Sequence, residues 1–96
     1  MHGVVYNWTR WSLRGLRGIE PWEVMQVLTG QRRWPRRGRN ATGASILTIW
    51  GRTTAGRALI VGVYQQTEDP WDWQIAGARE MTTDELAQFA QWEETR

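Results

Sequence analysis

The chain has 96 residues, a formal net charge of +2 and no cysteine. This length suits one domain over residues 1–96, and the missing cysteines exclude disulfides and thiolate metal sites. The sequence has no run of about 18 apolar residues, and its N-terminus has no long apolar segment of the kind that a secretory signal needs. We therefore expect a cytoplasmic protein without membrane contact.

The basic residues are all Arg, and they are unevenly distributed. Residues 1–64 hold ten Arg and two acids, a balance of +8, whereas residues 65–96 hold two Arg and eight acids, a balance of −6. This polarity favours a basic face, and the planar guanidinium of Arg binds phosphate bidentately. The alternatives are a GC-rich genome and two patches that neutralise each other.

The first third of the chain predicts a short strand and two helices. Residues 3–6 are the strand candidate, and residues 8–16 favour a weak helix with Asn7 as its cap. Pro21 suits a first helical position and Gly30 a C-terminal stop. They predict a helix over residues 21–29, with apolar side chains at helical spacing.

The remaining two thirds predict strands followed by a helix. In residues 31–40, Pro35 argues for an edge strand or a loop rather than a central strand. Residues 44–52, 57–65 and 71–79 read as three strands joined by short turns, which indicates an antiparallel meander. Thr82 and Glu85 have the spacing of a capping box, so a C-terminal helix begins there.

Together these elements predict an α+β fold. We expect a small antiparallel sheet of about four strands, two N-terminal helices and one C-terminal helix. The helices are expected to cover one face of the sheet and leave the other for function.

Conventional enzyme motifs are missing from the sequence. The only His is His2, no His, Cys and carboxylate residues have metal-ligand spacing, and no Gly-rich phosphate loop follows a strand. We therefore expect no metal and no cofactor. One reaction that Arg and Tyr can support is cleavage of RNA by attack of its own 2′-OH on the neighbouring phosphate, which needs cations and a proton-transfer group.

The catalytic candidates are five residues on or beside the predicted strands. Arg52, Arg57 and Arg79 lie at strand ends and are expected to converge at one edge of the sheet. Tyr64 or Glu80 would transfer the proton. The alternative for each Arg is a solvated or salt-bridged surface residue, and for Tyr64 it is packing against the sheet.

A second candidate site is the basic stretch around Trp34, where aromatic and Arg side chains together suit unpaired bases and phosphates. Its alternative is an exposed hairpin whose charge keeps it soluble. The nucleic-acid-binding candidates are Arg32, Arg33, Trp34, Arg36, Arg37 and Arg39. The other Trp residues are expected in the core.

Three segments carry a family resemblance. Residues 17–24 (RGIEPWEV) resemble the "H/R-G-[IV]-x-x-x-E-[VA]" segment of BrnT-type toxins, and residues 56–61 (GRALIV) resemble their "G-R-x-L-x-V" strand. Residues 75–82 with Glu85 resemble their "I-I-S-A-R-x-A/M-T/S-x-x-E" close. The segments occur in the family's order across most of the chain. Two residues depart from the family pattern, which usually has Lys-His before the first Gly and often an Arg after the strand that ends near Tyr64.

The resemblance to BrnT-type toxins of the RelE/ParE superfamily implies a RelE-like fold. It also implies a toxin of a type II toxin–antitoxin system, a metal-independent endoribonuclease that acts on RNA. Its cognate antitoxin would be of the ribbon-helix-helix type, and Arg79 takes the place of the motif Arg. Oligomeric state stays open between a homodimer and a toxin–antitoxin hetero-oligomer.

Two other functions remain open. The chain is either a non-catalytic module that binds RNA, DNA or a partner on the same fold, or a purely protein-binding subunit whose Arg content reflects the genome.

Overall fold

The computed structural model describes residues 4–40, 42–65 and 67–95. His2, and Gly3 of the first predicted strand, lie outside the described residues. The described residues form five strands and three helices. In chain order these are β1 (Val5–Asn7), α1 (Arg10–Arg14), α2 (Pro21–Thr29), β2 (Trp34–Arg39), β3 (Ser45–Arg52), β4 (Ala58–Gln65), β5 (Asp72–Glu80) and α3 (Thr83–Glu94).

The strands form one mixed sheet in the order β1-β5-β4-β3-β2. The predicted meander is confirmed, because β3, β4 and β5 pair antiparallel in sequence, and β2 joins β3 as an antiparallel edge strand. Two parts of the prediction are wrong. The described chain has five strands instead of about four, and the sheet is not wholly antiparallel, because β1 pairs parallel with β5.

Helices cover both faces of the sheet, not one as predicted. The larger core cluster joins α2 to the sheet through Val24, Val27 and Leu28, which pack against residues such as Val61. A smaller cluster joins Phe89 of α3 to Trp50 and Ile60. Because successive strand residues point to opposite faces, Ile60 and Val61 place these clusters on opposite sides. We call these sides the α2 face and the α3 face.

The helix starts follow local capping chemistry. Thr82 and Glu85 form the predicted capping box, and the backbone N–H of Glu20 donates to Glu23 at the start of α2. The predicted cap of α1 is wrong. Thr9 accepts from the backbone of Ser12 at 3.0 Å, while Asn7 lies in β1 and its side-chain amide donates to Asp72.

Candidate nucleic-acid interface

Arg52 binds the last turn of α3. Its Nε lies 3.1 Å from both carboxylate oxygens of Glu93, and Nη2 lies 2.9 Å from one of them. These hydrogen bonds raise the pKa of Arg52. The guanidinium also lies 5.6 Å from the ring centre of Phe89. Arg52 therefore attaches the C-terminal end of α3 to the sheet.

Arg79 binds the first turn of the same helix. Its Nη1 and Nη2 donate to the two carboxylate oxygens of Glu85 at 2.6 and 2.7 Å. The hydrogen bonds from Arg79 lower the pKa of Glu85 to about 2, opposed by partial burial and assisted by the backbone N–H of Thr82. Glu85 and Glu93 are eight residues apart, about 12 Å along a helix. Arg52 and Arg79 thus hold opposite ends of α3.

Arg57 works on the opposite face. It lies just before β4, and its guanidinium forms ion pairs with Glu23 of α2 at 3.0 Å and with Glu80 of β5 at 3.4 Å. It also donates to the carbonyl of Gly18 at 2.7 Å. The hydrogen bonds to Glu80 and Glu23 raise its pKa. Arg57 therefore fastens α2 and the loop before it to the sheet.

The five catalytic candidates do not form one constellation. Arg79 and Glu80 are successive residues of β5 and point to opposite faces. Tyr64 lies four residues along β4 from Ile60, the residue that pairs with Arg79. That separation is about 13 Å, beyond the hydrogen-bond reach that proton transfer requires. The salt-bridged alternative describes Arg52, Arg57 and Arg79 as they lie in the fold.

The arginines of residues 32–39 differ, because none of them forms an ion pair with a described carboxylate. Arg33 donates to the carbonyl of Leu28, and Arg39 donates to that of Gly43 at 2.7 Å. Arg36 donates to Gln88 at 3.1 Å. Arg32 and Arg37 are exposed. This set (Arg32, Arg33, Arg36, Arg37 and Arg39), which we call the edge arginines, lies on β2 and the loop before it.

Trp34 is engaged within the protein. Its ring stacks on Trp92 with 5.4 Å between centroids and 6° between planes, and it meets Trp50 edge-on at 5.5 Å. The Arg36 guanidinium lies 4.5 Å from the Trp34 ring centre. Trp34 therefore fastens β2 to α3, and the base-stacking role predicted for it competes with these contacts.

Two cavities flank the central strands. One, of about 350 Å³, is lined by Ile60, Gly62, Gly77 and Arg79, and it opens on the α3 face. The other, of about 500 Å³, is lined by residues at the end of the sheet where β4 finishes and β3 begins. Arg37, one of the edge arginines, lines the second cavity, and Tyr64 lies beside it.

Two sequence signals anticipated these pairings. The opposite charge balances of the two parts of the chain meet in space, since Arg52 pairs with Glu93 and Arg57 pairs with Glu80. The period of a strand separates Arg79 from Glu80. Sequence reasoning missed Trp73, which lines the larger cavity.

No helix within the described residues is long and apolar enough to cross a membrane. The described part of the chain also has no group of three or more His, Cys, Asp or Glu residues arranged to hold a metal ion. Comparison with protein-family models and with curated proteins found no match to this chain.

Proposed function

We propose that this protein is a binding module for single-stranded RNA, and that the edge arginines supply its phosphate contacts. The observation that carries the proposal is the division among the arginines. Those on the central strands and their turns are neutralised by Glu, whereas the edge arginines form no ion pair with a described carboxylate. A cation without a carboxylate partner can bind phosphate without first breaking a protein contact.

The position of β2 supports this proposal. As an edge strand it has one free side, and arginines alternate along it toward both faces of the sheet. A flexible single strand can follow such an edge. Charge on an edge strand also prevents association with other sheets. That role needs positive charge only, whereas RNA binding needs phosphate contacts at these positions.

The test is a triple variant, Arg32→Gln with Arg37→Gln and Arg39→Gln. RNA affinity is measured by fluorescence anisotropy with a labelled single-stranded oligonucleotide between 50 and 300 mM salt, on the order of the range over which phosphate contacts are screened. If each residue makes one phosphate contact, the slope of log K against log salt falls by about 2.

A matched control removes the same charge elsewhere. Arg10, Arg14 and Arg17 are exposed and form no ion pair with a described carboxylate. The triple Gln variant of these residues should retain most of the wild-type slope. Equal losses in the two triple variants would mean that net charge alone attracts RNA, and the interface proposed at β2 would be wrong.

A second candidate function is a metal-independent endoribonuclease, the toxin of a toxin–antitoxin pair. It is favoured by Arg79, which lines the cavity on the α3 face and whose side chain is 56% exposed. Catalysis there requires phosphate to displace Glu85. Glu85 itself is a poor general base, because a carboxylate with a pKa of about 2 accepts a proton weakly at neutral pH.

The test of the second candidate uses end-labelled RNA at low salt, with and without EDTA. Cleavage that survives EDTA and leaves cyclic-phosphate or 3′-phosphate ends supports it, and Arg79→Ala should abolish this cleavage while much of the binding remains. Intact RNA with salt-dependent retention would reject it in favour of the binding module. The antitoxin is proposed to be of the ribbon-helix-helix type, which a neighbouring reading frame of that pattern would support.

A further inference from the structure

The larger cavity has the dimensions of a ligand site. Its volume of about 500 Å³ falls within the range of roughly 300–1,000 Å³ found for small-molecule and cofactor sites. Its lining combines an apolar floor with a few polar groups, a composition typical of such sites. The residues used below are Arg37, Ser45, Leu47, Gln65 and Trp73.

Trp73 gives the cavity an aromatic wall that is held in place. It is half-buried and packs against the core cluster of the α2 face, and its Nε1 donates to the carbonyl of Pro70 at 3.1 Å. An indole fixed in this way loses little conformational freedom when a ring stacks on it. Aromatic side chains at the surface stack on any nucleobase, because every base has a π face.

The polar groups of the cavity suit the edge of a base. The amide nitrogen of Gln65 donates to the same Pro70 carbonyl at 3.2 Å, which orients this side chain beside Trp73. Its carbonyl oxygen accepts no hydrogen bond from a described residue, and the Ser45 hydroxyl makes none with one either. An amide and a hydroxyl together can donate to and accept from a base.

Charge gives the cavity a direction. Glu68 and Asp69 lie in the turn before Pro70, at the Trp73 end, whereas Arg37 lies at the other end on β2. Three strand spacings separate β5 from β2, about 14 Å, which the long Arg side chain shortens. Phosphate is repelled at the Trp73 end and attracted at the Arg37 end. A nucleotide therefore fits with its base beside Trp73 and its phosphate toward Arg37.

We propose that this cavity binds one unpaired base of a single-stranded RNA, stacked on Trp73 and hydrogen-bonded by Gln65, with the adjoining phosphate at Arg37. This inference rests on the proposed RNA-binding function. It adds a base-binding site on the α2 face to the phosphate contacts along β2, so binding depends on bases as well as on backbone charge.

The experiment compares two probes of equal length, an RNA octamer and an abasic ribose–phosphate octamer. Wild-type protein should bind the base-bearing probe about 5- to 100-fold more tightly, the range for stacking of one base. Ser45→Phe fills the cavity from an exposed position and should remove most of this preference. Trp73→Leu keeps an apolar side chain but removes the ring, and it should have the same effect.

The control variant is Gly77→Phe, which places a ring on the opposite face, where a Cβ at position 77 meets no atom within 4 Å. It should keep the preference, and thermal melting reports whether each variant is folded. Equal wild-type affinity for the two probes, or a preference that survives in folded Ser45→Phe, would overturn the base-binding site and leave phosphate binding along β2 intact. Salt-independent binding, or no binding of either probe, would overturn the RNA-binding function as well.

Discussion

The arginines of the central strands and the edge arginines have the same chemistry but opposite surroundings. Arg52, Arg57 and Arg79 each reach a Glu on a helix, and each joins that helix to the sheet. The edge arginines contact carbonyls, an amide or an aromatic ring, or are simply exposed. The comparison teaches that position at a strand end is a poor indicator of catalysis, because a helix packed on that strand can supply the counter-charge.

The helix α3 explains why the central arginines are needed. Within the described residues, Phe89 is the only side chain of α3 that is fully buried. A helix with one buried anchor gains little from the hydrophobic effect alone. Bidentate ion pairs at its two ends add the missing attachment.

The largest effect on stability is expected when both ends of α3 are released. The double variant Arg52→Gln with Arg79→Gln should lower the free energy of unfolding by about 2 kcal/mol, because two bidentate pairs are lost, although solvent screens the half-exposed Arg79. Urea denaturation monitored by Trp fluorescence measures this.

The matched comparison is Arg37→Gln with Arg39→Gln on the edge strand. Since neither residue forms an ion pair with a described carboxylate, this double variant should change stability by no more than about 0.5 kcal/mol. Similar losses in the two double variants would refute the division between the two sets of arginines.

A smaller effect is expected from Glu85, and it should depend on pH. The pKa of Glu85 falls from 4.5 in the unfolded chain to about 2 in the folded protein, so its contribution is complete above pH 4.5 and is lost as the pH falls toward 2. Glu85→Gln retains a side chain that can accept from the Thr82 N–H, so it tests the charge.

At pH 7 this variant should be about 1 kcal/mol less stable than wild type, after screening at Arg79. Denaturation curves at pH 7, 4 and 3 should show the difference shrinking below pH 4.5. Asp84→Asn, in the same helical turn, is the control. A difference for Glu85→Gln that stays constant with pH would show that Arg79 does not depend on this carboxylate.

The sequence predicted the fold where the signals were local. Pro21 and Gly30 bounded α2, and Thr82 with Glu85 began α3. The parallel strand β1 was not predictable in the same way, since three residues are too few for a hydrophobic pattern. Its placement depends on contacts such as Asn7 with Asp72, which lie 65 residues apart in the chain. The same contact took Asn7 away from the cap of α1.

The candidate site was predictable in composition but not in partners. The basic stretch around Pro35 does form an exposed edge strand with its arginines. The sequence could not assign a Glu to each Arg, because Arg57 meets Glu23 across 34 residues and Arg52 meets Glu93 across 41. Only the sheet order brings these charges together. Charge partners set by tertiary structure therefore separated the arginines into their two groups.

The smallest expected effect on stability accompanies a single edge substitution, and it has the clearest consequence for binding. Arg37→Gln should leave the unfolding free energy within about 0.5 kcal/mol of wild type while it reduces the salt slope of RNA binding by about 0.7, one phosphate contact. Arg79→Gln should do the reverse, lowering stability and leaving the slope unchanged, because its charge is already neutralised by Glu85. Anisotropy titrations at several salt concentrations, with urea curves on the same preparations, measure both quantities. If Arg79→Gln reduced the slope and Arg37→Gln did not, the RNA backbone would lie on the α3 face beside Arg79, and the endoribonuclease proposal would gain the support that the edge strand had lost.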